Sequence, residues 1–199
     1  MNRDTGMPDT AAGRVVRALF DAIEARDLAA VESMLAPDAS WRNVPHPIAD
    51  GRPAVLSMLG PILAMSDEVE WEILAGADAG GGVVLLERID HFTIAGRRHG
   101  VPCNGAFVAD IGAGLVTEVR DYTDLGVWRE QIAPVYAAWA GRKAIEVVSR
   151  HLAGVERRDP VAMAADYAPD AVLNRAGEEH RGVAAIRRYF DSVPERLGT

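Results

Sequence analysis

The stretch Val83-Val84-Leu85-Leu86-Glu87-Arg88-Ile89-Asp90-His91-Phe92-Thr93-Ile94 decides how this chain folds. It is rich in β-branched and apolar residues and holds neither glycine nor proline, so it reads as a strand. Ala95-Gly96 follows as a short turn, and Arg97–Ala109 is again largely apolar, which makes the two a hairpin. Outward from there, Gly76–Gly82 separates an earlier run, Val69–Ala75, and Asp110–Gly114 separates a later one, Leu115–Thr123. Runs of this kind joined by turn-rich separators predict one antiparallel meander.

Upstream the period becomes helical. Val15, Val16, Leu19, Phe20 and Ile23 recur at helical spacing between Thr10 and Arg26, with Asp9 or Thr10 able to cap the start. Asp27 caps a second, short helix carrying Val31, Met34 and Leu35, which Pro37 stops. Ser40–Val44 reads as a brief extended segment ended by Pro45 and Pro47, and Gly51-Arg52-Pro53 opens a third helix through about Met65. Helices first and a curved sheet afterwards give an α+β class, with the helices covering one face of the sheet as a cone around an apolar pocket. Residues 1–9 read as a frayed leader.

Beyond Trp128 helix returns, and with it an internal repeat. Glu24-Ala25-Arg26-Asp27 resembles Glu156-Arg157-Arg158-Asp159, and Ala36-Pro37-Asp38-Ala39 matches Ala168-Pro169-Asp170-Ala171 at the same offset; Gly51 corresponds to Gly182, one residue out of step. The reading is therefore a domain over residues 10–139 and a partial second copy over 140–199, helical and without a full sheet. Such a half leaves apolar stripes uncovered. It is expected to pack on the first domain, to pair with another chain, or to belong to a longer protein, and to hold no complete second site.

The formal charge of −8 and pI near 5.1 argue against a nucleic-acid or anionic-membrane partner, because phosphate binding needs a concentrated basic surface. Cys103 is the single cysteine, so there is no internal disulfide, and a reducing cytoplasm is the expected compartment. His46, His91, His99, His151 and His180 lack metal-ligand spacing, and Gly80-Gly81-Gly82 precedes neither a helix nor a lysine, so neither a metal site nor a phosphate cradle is expected. No cofactor is called for. A small, neutral, apolar molecule is the expected ligand.

Arg88 and Asp90 lie two apart on a strand and so share a face, continued by Phe92; Val119, Asp121 and Thr123 share one on the last strand. One reading leaves all three charges in solvent. The other places them inside, because their strands are apolar on both parities, which implies that both faces are partly covered, and because one guanidinium can hydrogen-bond two carboxylates that repel each other. Two such acids would not titrate alike, and one can retain a proton near neutrality. That asymmetry suits epoxide opening, where a base takes a proton from water and an acid protonates the leaving oxygen. Asn43 either holds that water or merely satisfies the turn before Pro45.

Trp41-Arg42-Asn43-Val44-Pro45, Glu87-Arg88-Ile89-Asp90 and Arg120-Asp121-Tyr122-Thr123-Asp124-Leu125 resemble the three signature stretches of limonene-1,2-epoxide hydrolases, in the same order. The resemblance covers residues 13–130. It implies the cone fold shared with nuclear transport factor and ketosteroid isomerase, a homodimer, and roles: Asp121 as the base that activates water, Asp90 as the acid, Arg88 as the bridge and Asn43 as a water-holding group. Trp41 stands where the family pattern has a tyrosine, and indole donates a hydrogen bond but accepts none. The cavity wall is assigned to Phe92 by parity and to Met65, Cys103 and Trp128 by the resemblance. The function implied is hydrolysis of a small epoxide to a diol. A polyketide- or terpenoid-type cyclase or isomerase, or a non-catalytic small-molecule binder, are the alternatives.

Overall fold

Thr10 starts the first helix, α1 (Ala11–Glu24), by accepting a hydrogen bond on its hydroxyl from the Gly13 N–H at 3.1 Å. The apolar stripe of α1 is buried, with Val16, Leu19, Phe20 and Ile23 fully covered. Arg26 turns the chain through a positive φ of 56°, and Asp27 caps α2 (Leu28–Met34) by accepting from the Ala29 and Ala30 N–H groups. In this computed structural model, residues 6–175 and 177–196 are described. Residues 1–5 of the expected leader, and residues 176 and 197–199 of the expected second copy, lie outside the described residues. Gly6 sits against Ile73 and Pro8 against Gly76, so this part of the leader lies along the sheet instead of fraying.

The sheet contains β1 (Leu35–Asn43), β2 (Ala49–Asp50), β3 (Glu68–Gly80), β4 (Val83–Ile94), β5 (Arg97–Asp110) and β6 (Leu115–Thr123), in the order β2-β1-β6-β5-β4-β3. Helix α3 (Arg52–Met65) precedes β3. The meander β3–β6 is antiparallel, as its sequence predicts, and its register slips at Ile73/Ala75, Asp78/Gly80 and Val108/Ala109, irregularities of the kind that bend a sheet. Two differences emerge at its ends. The Gly76–Gly82 separator is mostly strand: residues through Gly80 pair with β4, and only Gly81-Gly82 turn, because glycine tolerates the ladder when no side chain must pack. The brief Ser40–Val44 segment is the end of a longer strand, β1, which lies parallel to β6 and sets Asn43 beside Asp121.

Along β4 alternate residues Val84, Leu86, Arg88, Asp90, Phe92 and Ile94 are buried under the helices. The opposite face is open, with Leu74, Leu85 and Tyr122 each about half exposed. The expectation that both faces are at least partly covered fits Ile89, His91 and Thr93, which are half-buried on this face, but not Leu85 and Glu87, which are exposed. The charged residues are buried because their parity matches the helix-covered face.

The chain divides into two units, Met1–Ala137 and Ala138–Thr199, with the boundary inside α5 (Ala133–Glu156), which follows α4 (Leu125–Gln131). The second unit continues with α6 (Pro160–Ala164), β7 (Val172–Arg175), β8 (Glu178–Arg181) and α7 (Val183–Arg196). Local geometry repeats that of the first. Arg158 has φ 52°, Asp159 caps α6 as Asp27 caps α2, and the pairs Val172↔Arg181 and Leu173↔His180 match Ser40↔Asp50 and Trp41↔Ala49. Gly182 at φ 76° and Gly51 at φ 80° each open a helix of 14 residues. Met163, Ala164, Ile186 and Phe190 gather into a small buried cluster, so this half closes a modest core of its own. Along α5, however, Val148, Leu152 and Val155 remain 43–56% exposed. Among the described residues no helix is long and apolar enough to cross a membrane.

Candidate active site

The inward parity of β4 and β6 brings the expected charges together inside the first unit. Arg88 donates from Nε to Asp90 Oδ1 at 2.7 Å and from Nη2 to Asp90 Oδ2 at 3.2 Å, and its Nη1 donates to Asp121 Oδ1 at 3.0 Å. The arginine side chain is fully buried, that of Asp121 4% and that of Asp90 11% exposed. Trp41, on β1, donates its indole N–H to Asp121 Oδ2 at 3.0 Å. Each Asp121 oxygen therefore already accepts one hydrogen bond. Asn43 is close to the group, but its amide nitrogen is turned to the sulfur of Met58 at 3.6 Å.

Burying a guanidinium is costly unless it is paired and hydrogen-bonded. Here the carboxylates are supplemented by an aromatic cage: the Arg88 guanidinium carbon lies 4.6, 5.3 and 5.8 Å from the ring centres of Trp71, Phe107 and Phe20. Such contacts contribute on the order of 0.5–2 kcal/mol each. Gly105 completes the packing. It faces Asp121 across the β5–β6 ladder, and a Cβ placed there would fall 2.6 Å from Arg88 Nη1 and 2.8 Å from Asp121 Oδ1. Sequence reasoning missed the cage and this glycine. The inward parity of Trp71 and the register of Gly105 opposite Asp121 were the available signals.

Burial works against the Arg88 charge, but the pull of Asp121 and then Asp90 outweighs it and holds the guanidinium above its ordinary value. Asp90 is pushed up to about 6, first by burial and further by the Asp121 charge, with Arg88 opposing. Asp90 can thus carry a proton close to neutral pH, and Asp121 accepts from Arg88 and Trp41.

The pair opens onto a cavity of about 240 Å³. Phe92 and Trp128 line it, edge to face at 6.4 Å, together with Trp41, Trp71 and Asn43. Met58, Leu59, Ile62 and Leu63 of α3 form the far wall. Met65 and Cys103, assigned to the wall from sequence, are buried but do not line this cavity. The preceding turns of α3 occupy the wall position expected of Met65. Cys103 turns its sulfur towards Thr123 Oγ1 at 3.4 Å, and burial pushes its thiol up to about 12, so it is no nucleophile near neutrality.

The sequence profile of the SnoaL-like domain matches residues 16–119 and again 148–199. The chain belongs to the SnoaL-like domain family. Solved structures agree on the fold. An LEH-like epoxide hydrolase of M. tuberculosis is 26% identical, with a TM-score of 0.54 over 68% of this chain and 99% of that one. A chain from Shewanella denitrificans OS-217, described provisionally as a SnoaL-like polyketide cyclase, is 13% identical, with a TM-score of 0.54 over 61% and 96%. SalBIII, an epoxide hydrolase/cyclase-like enzyme in pyran ring formation in the polyether salinomycin, is 16% identical, with a TM-score of 0.51 over 58% and 92%. Chains of this fold are thus described in hydrolase and in cyclase terms, and the second profile match covers the repeat described above.

Proposed function

We propose that the first unit opens a small apolar epoxide with water in one step to give a diol, without a covalent intermediate or a cofactor. The observation that carries the reading is the Asp90–Arg88–Asp121 bridge inside an apolar chamber, with the acid side held near a pKa of about 6. The similarity to the LEH-like hydrolase over nearly all of that chain supports it. In the step, the water oxygen bonds to an epoxide carbon, the carbon–oxygen bond breaks towards the ring oxygen, Asp121 takes the water proton and Asp90 supplies one to the leaving alkoxide. Arg88 holds the two carboxylates apart and oriented, and Asn43, which lines the same cavity, helps to hold the water. One proton exchanged with solvent restores both acids. A cavity below the roughly 300–1,000 Å³ usual for drug-sized ligands selects a small substrate.

Single turnover in heavy-oxygen water is the test. Label should enter the diol and leave the protein unlabelled; label in an aspartate would mean a covalent ester and overturn the mechanism. Asp121→Asn should lower the rate by about 10²–10⁴ at unchanged circular dichroism.

A further inference from the structure

We propose that α5 is a self-association surface, where the second unit pairs with a second copy of this chain through an antiparallel two-helix seam. Ile145, Val148, Leu152 and Val155 recur along α5 at intervals of three, four and three residues and are 67, 56, 55 and 43% exposed. This stripe differs from that of α1 in the way a helix partner requires. In α1 the buried Leu19 broadens the stripe that meets the sheet, and its repeat counterpart is His151. That imidazole is turned into the second unit's own core, with Nδ1 3.1 Å from the Met163 carbonyl oxygen and its ring 5.8 and 5.7 Å from those of Tyr167 and Phe190. At the upstream end Ile145 stands where α1 has Gly13. The result is longer and narrower, with the a/d spacing by which helices pair with each other.

The charges beside the stripe fit a reversed copy of the same helix. With Ile145 packed on the partner's Val155 and Val148 on the partner's Leu152, a two-fold axis repeats both contacts. Arg142, Ser149 and Glu156 flank the seam on one side. Run antiparallel, they set Arg142 beside the partner's Glu156 at both ends and Ser149 beside the partner's Ser149 between them, so no like charges are opposed. A parallel pair gives Arg142 no acid to face. Arg142 and Glu156 are exposed and belong to no ion pair among the described residues. Lys143 and Arg150, which lie between them, are already paired with Glu146 and Asp166, which leaves this stretch little positive charge for an anionic membrane. The helix is formed in the folded unit, so pairing costs little ordering. Four apolar side chains per copy fall short of the roughly 20–30 residues a side of a standard interface, so the pair is weak and reversible.

Sedimentation equilibrium of the intact chain between about 5 and 500 µM is the test, a range suited to a weak pair. The apparent mass should rise from 21.4 kDa towards twice that value. Leu152→Glu should remove the rise at unchanged circular dichroism. Arg142→Glu and Glu156→Arg should each weaken association by about fivefold or more, and the two changes in one chain should return it to within about twofold of the unaltered protein. That restoration reads the antiparallel register and decides even if Leu152→Glu fails to fold. A single mass at every concentration overturns the proposal, as does a doubly reversed chain that associates no better than the single variants. Association that a folded Leu152→Glu leaves intact overturns it in favour of another surface, such as the open sheet face. A chain that stays monomeric yet sediments with phosphatidylserine vesicles, and loses this with Leu152→Glu, overturns it in favour of a membrane.

Discussion

Adding one methyl group at Gly105 should unlock the site. The new Cβ would lie 2.6 Å from Arg88 Nη1, 2.6 Å from Phe107 Cε2 and 2.8 Å from Asp121 Oδ1, where ordinary contact begins near 3.4 Å. Something must move by roughly 0.8 Å. Arg88 cannot yield freely, because its Nε and Nη2 are tied to Asp90 and rings surround its guanidinium. If Nη1 gives way, its 3.0 Å bond to Asp121 lengthens beyond hydrogen-bonding range. Overpacking a core costs about 1–3 kcal/mol, and fully stripping a buried charge of its partner about 3–5 kcal/mol. A loss of about 2–4 kcal/mol is expected, which at about 2–4 °C per kcal/mol for a chain of this size lowers Tm by roughly 5–15 °C. Three of the four tryptophans, Trp41, Trp71 and Trp128, lie in the first unit, so near-ultraviolet dichroism follows mainly that unit. Gly141→Ala is the control: it lies within α5 with nothing within 4 Å of its Cβ, and it should be neutral or stabilising by up to about 1 kcal/mol. A Gly105→Ala protein with unchanged Tm and unchanged turnover would refute the claim that close packing fixes the Arg88–Asp121 geometry.

Further outcomes are expected. Because Asp90 acts as an acid with a pKa of about 6, kcat/KM should fall tenfold per pH unit above that value, and Asp90→Asn should remove this limb along with about 10²–10⁴ of the rate. The same group binds its proton more tightly folded than unfolded, so its own contribution to stability is greatest below about pH 4 and diminishes as pH rises to about 6, by about 3 kcal/mol in all; denaturant titrations of the wild type and Asp90→Asn at pH 4.5 and 7.5 should differ in that direction. Cys103, buried and with its thiol pushed up to about 12, should resist a thiol reagent at pH 8 until the protein is unfolded. Phe20→Ala should cost about 3–5 kcal/mol and its repeat counterpart Leu152→Ala within about 0.5, as measured by urea unfolding, since Phe20 is fully buried and Leu152 55% exposed.

The contrast between Phe20 and Leu152 shows where sequence stops being informative. Composition and period were enough to find the helices and the meander, because strand and helix repeats are local properties of the chain. Parity then placed Arg88, Asp90 and Asp121 together, because three charges on apolar strands have few satisfactory neighbours other than one another. Features that depend on which distant surface arrives were not legible. Trp71, Phe107 and Phe20 read as ordinary apolar residues and only the folded chain makes them a cage. The parallel pairing of β1 with β6 was hidden by Pro37, and apolar residues on both parities did not tell the helix-covered face from the more open one that carries Leu85 and Tyr122. The repeat makes the same point within one chain. Val16, Phe20 and Ile23 are fully buried by the sheet under α1, while Val148, Leu152 and Val155, at equal spacing on α5, are not. A stripe states what a helix offers. Burial is decided by the partner, and among the described residues the second copy repeats the helices and the strand pair without a counterpart of β3–β6 to receive them.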